Sequence, residues 1–216
     1  MVLKLVTFDL DGTLVHYKFS EFGSSWDAVN QAANTFGESR RLLEKYLWKE
    51  EFYDEWFKKQ LDLLKGKSVS EVKSKILPPE YSDSARETCK ELKNMGLCTG
   101  IITSGVGIVA RYVEKDFDLD FCECNELLHE NGLFTGLGRS NVDLYNKKLN
   151  LIKICKRFNV KPSEEAVVVG DHENELDLFK IAAISIAYRP KTEKVEKAAD
   201  YATNNLNEIP LIIREV

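Results

Sequence analysis

The sequence predicts an α/β protein, a doubly wound parallel sheet with a small helical cap domain inserted after the first strand. Short apolar runs at residues 3–8, 97–103, 166–169 and 184–187 read as buried strands. Between the later runs lie amphipathic stretches at 82–95, 107–116, 147–158 and 192–199, each of helical length. Strands alternating with helices at this spacing pair in parallel, with helices covering both faces of the sheet. From 16 to 79 the alternation lapses into aromatic-rich helix.

Each element has a local cause. Leu3, Leu5, Val6 and Phe8 form a strand that Asp9-Leu10-Asp11-Gly12 ends, because Asp and Gly favour turns. In the insertion, Trp26, Val29, Ala33 and Phe36, then Tyr46, Trp48, Phe52, Tyr53, Trp56 and Phe57, recur at helical spacing. Pro78-Pro79 closes it, since helices rarely cross proline. The expected organisation is a catalytic core of residues 1–15 and 80–216 with a helical cap of 16–79. Gly96 stops the helix of 82–95, and 121–138 reads as a hairpin arm turning at Glu130-Asn131-Gly132. The β-branched run at 166–169 ends in Gly170-Asp171 and is followed by helix as far as Ala182.

Composition narrows the class. With 216 residues and 44% hydrophobic content the chain can bury a sizeable core. Its net charge of -5, with both signs mixed throughout, offers no basic stripe and excludes nucleic acid as a partner. No apolar run reaches membrane-spanning length, and residues 1–8 are too short for a signal-peptide core. Five cysteines without framework spacing fit reduced thiols and a cytoplasmic protein, and Cys122-x-Cys124 reads as ordinary strand. The insertion's aromatics are expected to pack as its core, a homodimer contact being the alternative.

In open parallel sheets ligands gather beyond the carboxyl ends of the strands. Those ends supply Asp9 and Asp11, then Ser104-Gly105, then Gly170-Asp171 with Asn174 and Glu175, and Lys147 or Lys148 at a helix start. Asp9 and Asp11, two apart on extended backbone, face one reacting centre. One carboxylate can attack phosphorus while the other gives and takes protons at the leaving oxygen. Asp171 would complete an oxygen-only site suited to magnesium, and Ser104, amides near Gly105 and a lysine would hold phosphoryl oxygens. Taken singly, each motif is an ordinary turn, cap or solvated face; their order at successive strand ends carries the reading.

These residues resemble the haloacid-dehalogenase superfamily. Asp9-Leu10-Asp11-Gly12-Thr13 matches its first motif, Ser104 its second, a lysine its third and Gly170-Asp171-His172-Glu173-Asn174-Glu175 its fourth. Within it the chain is similar to the phosphoserine phosphatase branch, through Ser104-Gly105, Asn131-Gly132 and Arg189-Pro190-Lys191. The resemblance implies a magnesium-dependent phosphomonoester hydrolase acting through an aspartyl-phosphate on a small phosphorylated metabolite. It implies Asp9 as nucleophile, Asp11 as general acid and base, and Mg2+ held by Asp9, the Asp11 carbonyl and Asp171. Ser104, Gly105, Asn174 and a lysine would bind substrate. Lys148 is taken over Lys147 because Leu151 and Ile152 would then pack beneath the same helix face. A sugar-phosphate mutase, or a binding protein that retains the fold, is the alternative.

Four positions depart from the pattern. Glu175 stands where the motif ends in Asp, and His172 where it has Gly. Lys18 stands where the branch has a Glu for the substrate amine, with Glu21 close by. Gln60 lies near the place of an arginine that would grip a carboxylate. The extra charge at Lys18 suits an acidic leaving group. His16 and His172 are read as polar surface near the pocket.

Overall fold

The computed structural model describes residues 2–17 and 23–216. Strand β1 (Leu5–Phe8) leads to the short β2 (Val15–His16), helices α1 (Ser25–Ala32), α2 (Phe36–Tyr46), α3 (Tyr53–Leu64) and α4 (Val69–Ile76), and β3 (Glu80–Tyr81). Then follow α5 (Ala85–Asn94), β4 (Cys98–Val106), α6 (Gly107–Asp116), β5 (Phe121–Glu130), β6 (Leu133–Arg139) and α7 (Lys148–Arg157). The chain ends with α8 (Pro162–Glu165), β7 (Ala166–Gly170), α9 (Leu176–Phe179), β8 (Ile184–Tyr188), α10 (Glu193–Ala198), β9 (Tyr201–Thr203) and α11 (Ile209–Glu215).

Seven strands form one sheet in the order β6-β5-β4-β1-β7-β8-β9. β1 is central, parallel to β4 on one side and to β7 on the other. The chain builds outward from β1 in one direction through β6 and then in the other through β9, so the topological switch point lies at β1's carboxyl end. β6 runs antiparallel to β5, across a turn in which Asn131 and Gly132 both have positive φ (51° and 79°). That is the backbone a tight hairpin demands, and Asn-Gly adopts it at little steric cost.

Both faces of the sheet are covered, as the apolar alternation requires. Val6, Phe8, Val167 and Val169 join a cluster with Cys89 of α5, Val109 of α6 and Ile213 of α11. Their neighbours Leu5, Ala166 and Val168 join a second cluster with Leu151 and Ile154 of α7 and Val195 of α10. A strand's side chains point alternately to opposite faces, so continuous apolar runs such as 166–169 feed two cores at once.

The expected elements from 82 to 198 are present, with one shortening. The helix expected to reach Ala182 begins late, because residues Glu173–Glu175 form a 3-10 turn before α9. Beyond residue 199, where the periodicity suggested nothing, the chain adds β9 and α11. No helix among the described residues is long and apolar enough to cross a membrane.

Between β2 and β3 the described chain is helical, and those two strands pair antiparallel where it leaves and rejoins the sheet. Val29, Phe57, Leu61, Leu64, Val69 and Val72 of the helices belong to the same apolar cluster as Val6 and Phe8. The α3–α4 loop is also stitched to the hairpin arm, Gly66 N donating to Phe134 O (2.8 Å) and Phe134 N to Lys67 O (3.0 Å). Of the insertion's aromatics, Tyr46, Tyr53 and Phe57 are buried, whereas Trp48 and Phe52 are exposed.

A shared cluster predicts shared unfolding. All three tryptophans lie in the helical segment, so their fluorescence reports on it, whereas far-ultraviolet circular dichroism reports on the whole chain. Urea transitions by the two probes are expected to coincide. Leu64→Ala, at a fully buried site, should lower stability by about 2–5 kcal/mol. Separate transitions would show that the helices fold as an independent unit.

Candidate active site

Asp9 emerges where β1 ends, its amide donating to Val169 O of β7 (2.9 Å). The register sets Phe8 beside Ile101 and Val169, so the residues just past all three strands converge. The chain then turns tightly, Gly12 N donating to Val15 O (2.8 Å) and Val15 N to Leu10 O (2.9 Å). Gly12 has φ +88°, and a Cβ there would collide with Asp171 Oδ2. Glycine thus supplies both the left-handed backbone and the room for Asp171 to reach β1.

Asp11 is held from the helical segment. Ser24 and Asp27 form a capping box at α1, which fixes Ser25 in the first turn. The Ser25 hydroxyl donates to Asp11 Oδ2 (2.8 Å) and accepts from Val106 N (3.0 Å), bridging the ends of β1 and β4. A Cβ on Gly105 would stand 2.5 Å from Ser25 Oγ and 2.8 Å from Asp11 Oδ2. The Gly105 amide, expected to face substrate, instead donates to Thr103 Oγ1 (3.0 Å). Gly105 therefore contributes space at this end of β4, where the register with β5 shifts between Ile102 and Val106. Ser104 is held by its carbonyl, which accepts from Trp26 Nε1 (3.1 Å) and Asn125 Nδ2 (2.9 Å).

The lysine at the centre is Lys147, and the expectation for Lys148 is corrected. Lys147 is fully buried, its ammonium donating to Asp9 Oδ1 (3.0 Å) and to Glu175 Oε1. Lys148 is exposed, and its backbone amide donates to Asp177 Oδ2 (3.0 Å). The reason is helical phase. Asn150, Leu151, Ile154 and Cys155 form the buried stripe of α7, the face that Lys147 continues at spacings of three, four, seven and eight. Ile152, which the Lys148 reading placed inside, is 47% exposed.

Glu175 is fully buried, its side chain lying over Gly170, where a Cβ would strike it. Its extra methylene carries the carboxylate to Lys147. Burial would by itself lower the Lys147 ammonium, but Asp9 and Glu175 overcome this and hold it above the ordinary lysine range. Burial pushes Glu175 upward, against the pull of Lys147.

Negative charge is in excess. Burial, with the charge of Asp9 second, raises Asp11 to about 7 and Asp171 to about 8. Among the described residues, the cations paired with Asp9, Asp171 and Glu175 are Lys147 and, at 3.9 Å from Asp171, Lys191. Among the described residues, buried Asp11 Oδ1 and Asp171 Oδ1 have no hydrogen-bond partner. Orphaned acid oxygens beside surplus negative charge fit a divalent cation. Among the described residues no three His, Cys, Asp or Glu side chains cluster as ligands of one ion. A cation here would therefore draw side-chain oxygen from two acids and the rest from backbone and water, as magnesium tolerates.

A cleft of about 460 Å³ exposes this cluster, with Asp9, Asp11, Ser104, Asp171, Asn174 and Lys191 among its walls. Asn174 Oδ1 is buried without a partner among the described residues. His16 and His172, expected on the surface, also line the cleft. His172 stacks on Trp48 at 6.0 Å and 10°, and Trp48 N takes the Tyr145 hydroxyl as acceptor (2.9 Å). Gln60 does not line this cleft; its side-chain oxygen accepts from Ser39 Oγ (2.9 Å). Lys18 and Glu21 lie outside the described residues. Ser25 and Asn125 were not singled out from sequence, and Trp48 was read as an insertion aromatic and not as a cleft residue; the Ser-Ser-Trp-Asp helix start was the available signal for Ser25.

A central parallel strand ending in paired acids, a buried lysine and an acid just past β7 define a class, and sequence comparison agrees. Residues 3–182 match the haloacid dehalogenase-like hydrolase family, and the chain belongs to it. Its likeness within that family is to phosphoserine phosphatases, and the protein is a phosphatase. It is 27% identical over 195 residues to the phosphoserine phosphatase of Methanocaldococcus jannaschii, covering 90% of each chain. It is 26% identical over 209 residues to that of Idiomarina loihiensis, covering 96% of this chain and 91% of the relative. A solved structure described as a phospho-aspartyl intermediate analogue of phosphoserine phosphatase superposes with a TM-score of 0.80, at 27% identity, over 98% of this chain and 99% of its own.

The lysine assignment is testable by stability alone. In chelator-treated protein, Lys147→Met should cost about 3–5 kcal/mol, because two buried carboxylates lose their counter-charge. Lys148→Met should stay within about 0.5 kcal/mol of the parent in the same denaturation assay. Equal effects would contradict the placement.

Proposed function

We propose that the protein is a magnesium-dependent phosphomonoester hydrolase that forms an aspartyl-phosphate on Asp9 and acts on a small phosphorylated metabolite. The observation that carries this is the buried ammonium of Lys147 set against the Asp9 carboxylate at the sheet's switch point. Lys147 fixes one Asp9 oxygen, leaving the other to attack phosphorus. Lys147 and the Ser104 hydroxyl, on opposite sides of β1, grip the phosphoryl oxygens as charge redistributes.

Asp11 is placed for proton transfer. Ser25 engages Oδ2 while Oδ1 has no hydrogen-bond partner among the described residues, so one oxygen is steadied and the other is available to give a proton to the leaving alkoxide. The same oxygen then takes a proton from the water that hydrolyses the phosphoenzyme. Asp9, Asp171 and the Asp11 main-chain carbonyl would hold magnesium. Bound there, the ion supplies positive charge that offsets repulsion between the carboxylate and the phosphate.

The helices between β2 and β3 serve as the cap of residues 16–79, delivering Ser25 and Trp26 to the strand ends. Asn174, whose buried side-chain oxygen has no partner among the described residues, is a substrate contact. Five unpaired cysteines, four of them buried, support a reducing, cytoplasmic setting.

With magnesium supplied, the protein should release phosphate from p-nitrophenyl phosphate, and chelation should stop it. Asp9→Asn should abolish turnover, and Asp11→Asn should lower kcat by roughly 10²–10⁴-fold. Full activity of Asp9→Asn would refute the mechanism.

A further inference from the structure

A second cavity, about 170 Å³, opens from the reaction cleft. The two share Asp11, Ser24, Leu47, Ser104 and Leu144 as walls. Asp11 and Ser104 thus form the border between them. In-line displacement sends the leaving oxygen away from Asp9, and the acid that meets that oxygen is Asp11. The side cavity is therefore where the rest of the leaving group goes, an assignment that rests on the roles proposed above for Asp9 and Asp11.

Its lining says what that group is. Trp26, Tyr53, Trp56 and Phe57 wall it with rings, Trp26 and Phe57 edge to face at 5.8 Å and Tyr53 and Trp56 at 6.4 Å, and Leu43 and Leu144 complete the apolar surface. Away from the border with the reaction cleft, the polar side chains in the wall, Ser24, Asp27, Ser39 and Gln60, are already engaged with protein partners. Gln60 Oε1 accepts from Ser39 (2.9 Å) and Asn30 (3.4 Å), and Ser24 pairs with Asp27 in the capping box. No lysine or arginine is among the described residues that line it. A substrate carboxylate entering here would lose water and meet acids and rings, with no cation among the described lining residues to replace its hydration.

One donor in the wall is unspent. Among the described residues the buried Trp56 indole Nε1 has no acceptor, a state that buried N–H groups rarely keep unless a ligand or water completes them. The size fits an aromatic ring, since an apolar cavity of roughly 150 Å³ is known to hold benzene.

We propose that this cavity receives the leaving group, and that the group is an uncharged, benzene-sized apolar alcohol carrying one hydrogen-bond acceptor for Trp56. It is a different leaving group from the zwitterionic serine that the relatives' names imply for them.

The test compares kcat/KM of the magnesium-supplied wild-type protein for benzyl phosphate, O-phosphoserine and phosphocholine. All three release an alkyl alcohol, so the comparison reports the cavity more than leaving-group acidity. Benzyl phosphate should lead by at least about tenfold. A 4-methoxybenzyl phosphate should gain further over benzyl phosphate, and Trp56→Phe, which keeps the ring but removes the donor, should erase that gain. Benzyl phosphate should also quench tryptophan fluorescence of Asp9→Asn protein at concentrations where O-phosphoserine does not. Preference for O-phosphoserine would overturn the proposal, as would preference for phosphocholine, which would mean that the rings cage a cation. Either would leave the phosphatase reading standing. Hydrolysis of none of the three, nor of p-nitrophenyl phosphate, would sink that reading and the cavity's assignment with it.

Discussion

One buried ion cluster constrains the rest of the site. Lys147 sits at zero exposure with its ammonium divided between Asp9 and Glu175. A charge so placed is tolerated only if its partners stay where they are, because removing either side strands the other without water. Those partners come from β1 and from the turn after β7, and the lysine from the start of α7. The cluster thereby pins three segments far apart in sequence to a single point and holds Asp9 in one orientation before any ligand arrives.

The crowding around that point explains the local sequence. Gly12 and Gly105 stand where any side chain would displace Asp171 or Asp11. Ser25 reaches across from the first turn of α1 to join the ends of β1 and β4. The helices therefore do more than cover the cleft, since they complete the hydrogen bonding of the second acid and, through Trp26 and Phe57, form the wall of the adjoining cavity. Glu175, an oddity of the fourth motif in sequence, has a plain structural reason: its longer arm is what meets Lys147.

Much of this was legible beforehand. The sheet, its central strand and the hairpin followed from apolar runs and Asn-Gly, because burial on two faces and a tight turn leave strong marks in composition. Asp9, Asp11, Ser104 and Asp171 were legible as polar residues placed just past those runs. The choice between Lys147 and Lys148 was not, since adjacent residues on a helix differ by about 100° and only the full stripe of Asn150, Leu151, Ile154 and Cys155 sets the phase. Ser25, Asn125 and Trp48 act through contacts between distant segments, which no local pattern encodes. β9 and α11 escaped because a three-residue edge strand is too short to show a period.

The central claim is that phosphate passes through Asp9, and chemical trapping tests it most directly. Protein mixed with substrate and magnesium would be acid-quenched during turnover, treated with borohydride, which reduces an acyl phosphate to an alcohol, and mapped by peptide mass spectrometry. The account predicts homoserine in place of Asp9 and at no other aspartate. Turnover that leaves Asp9 unreduced, or that yields homoserine at Asp11 or Asp171 instead, would contradict it.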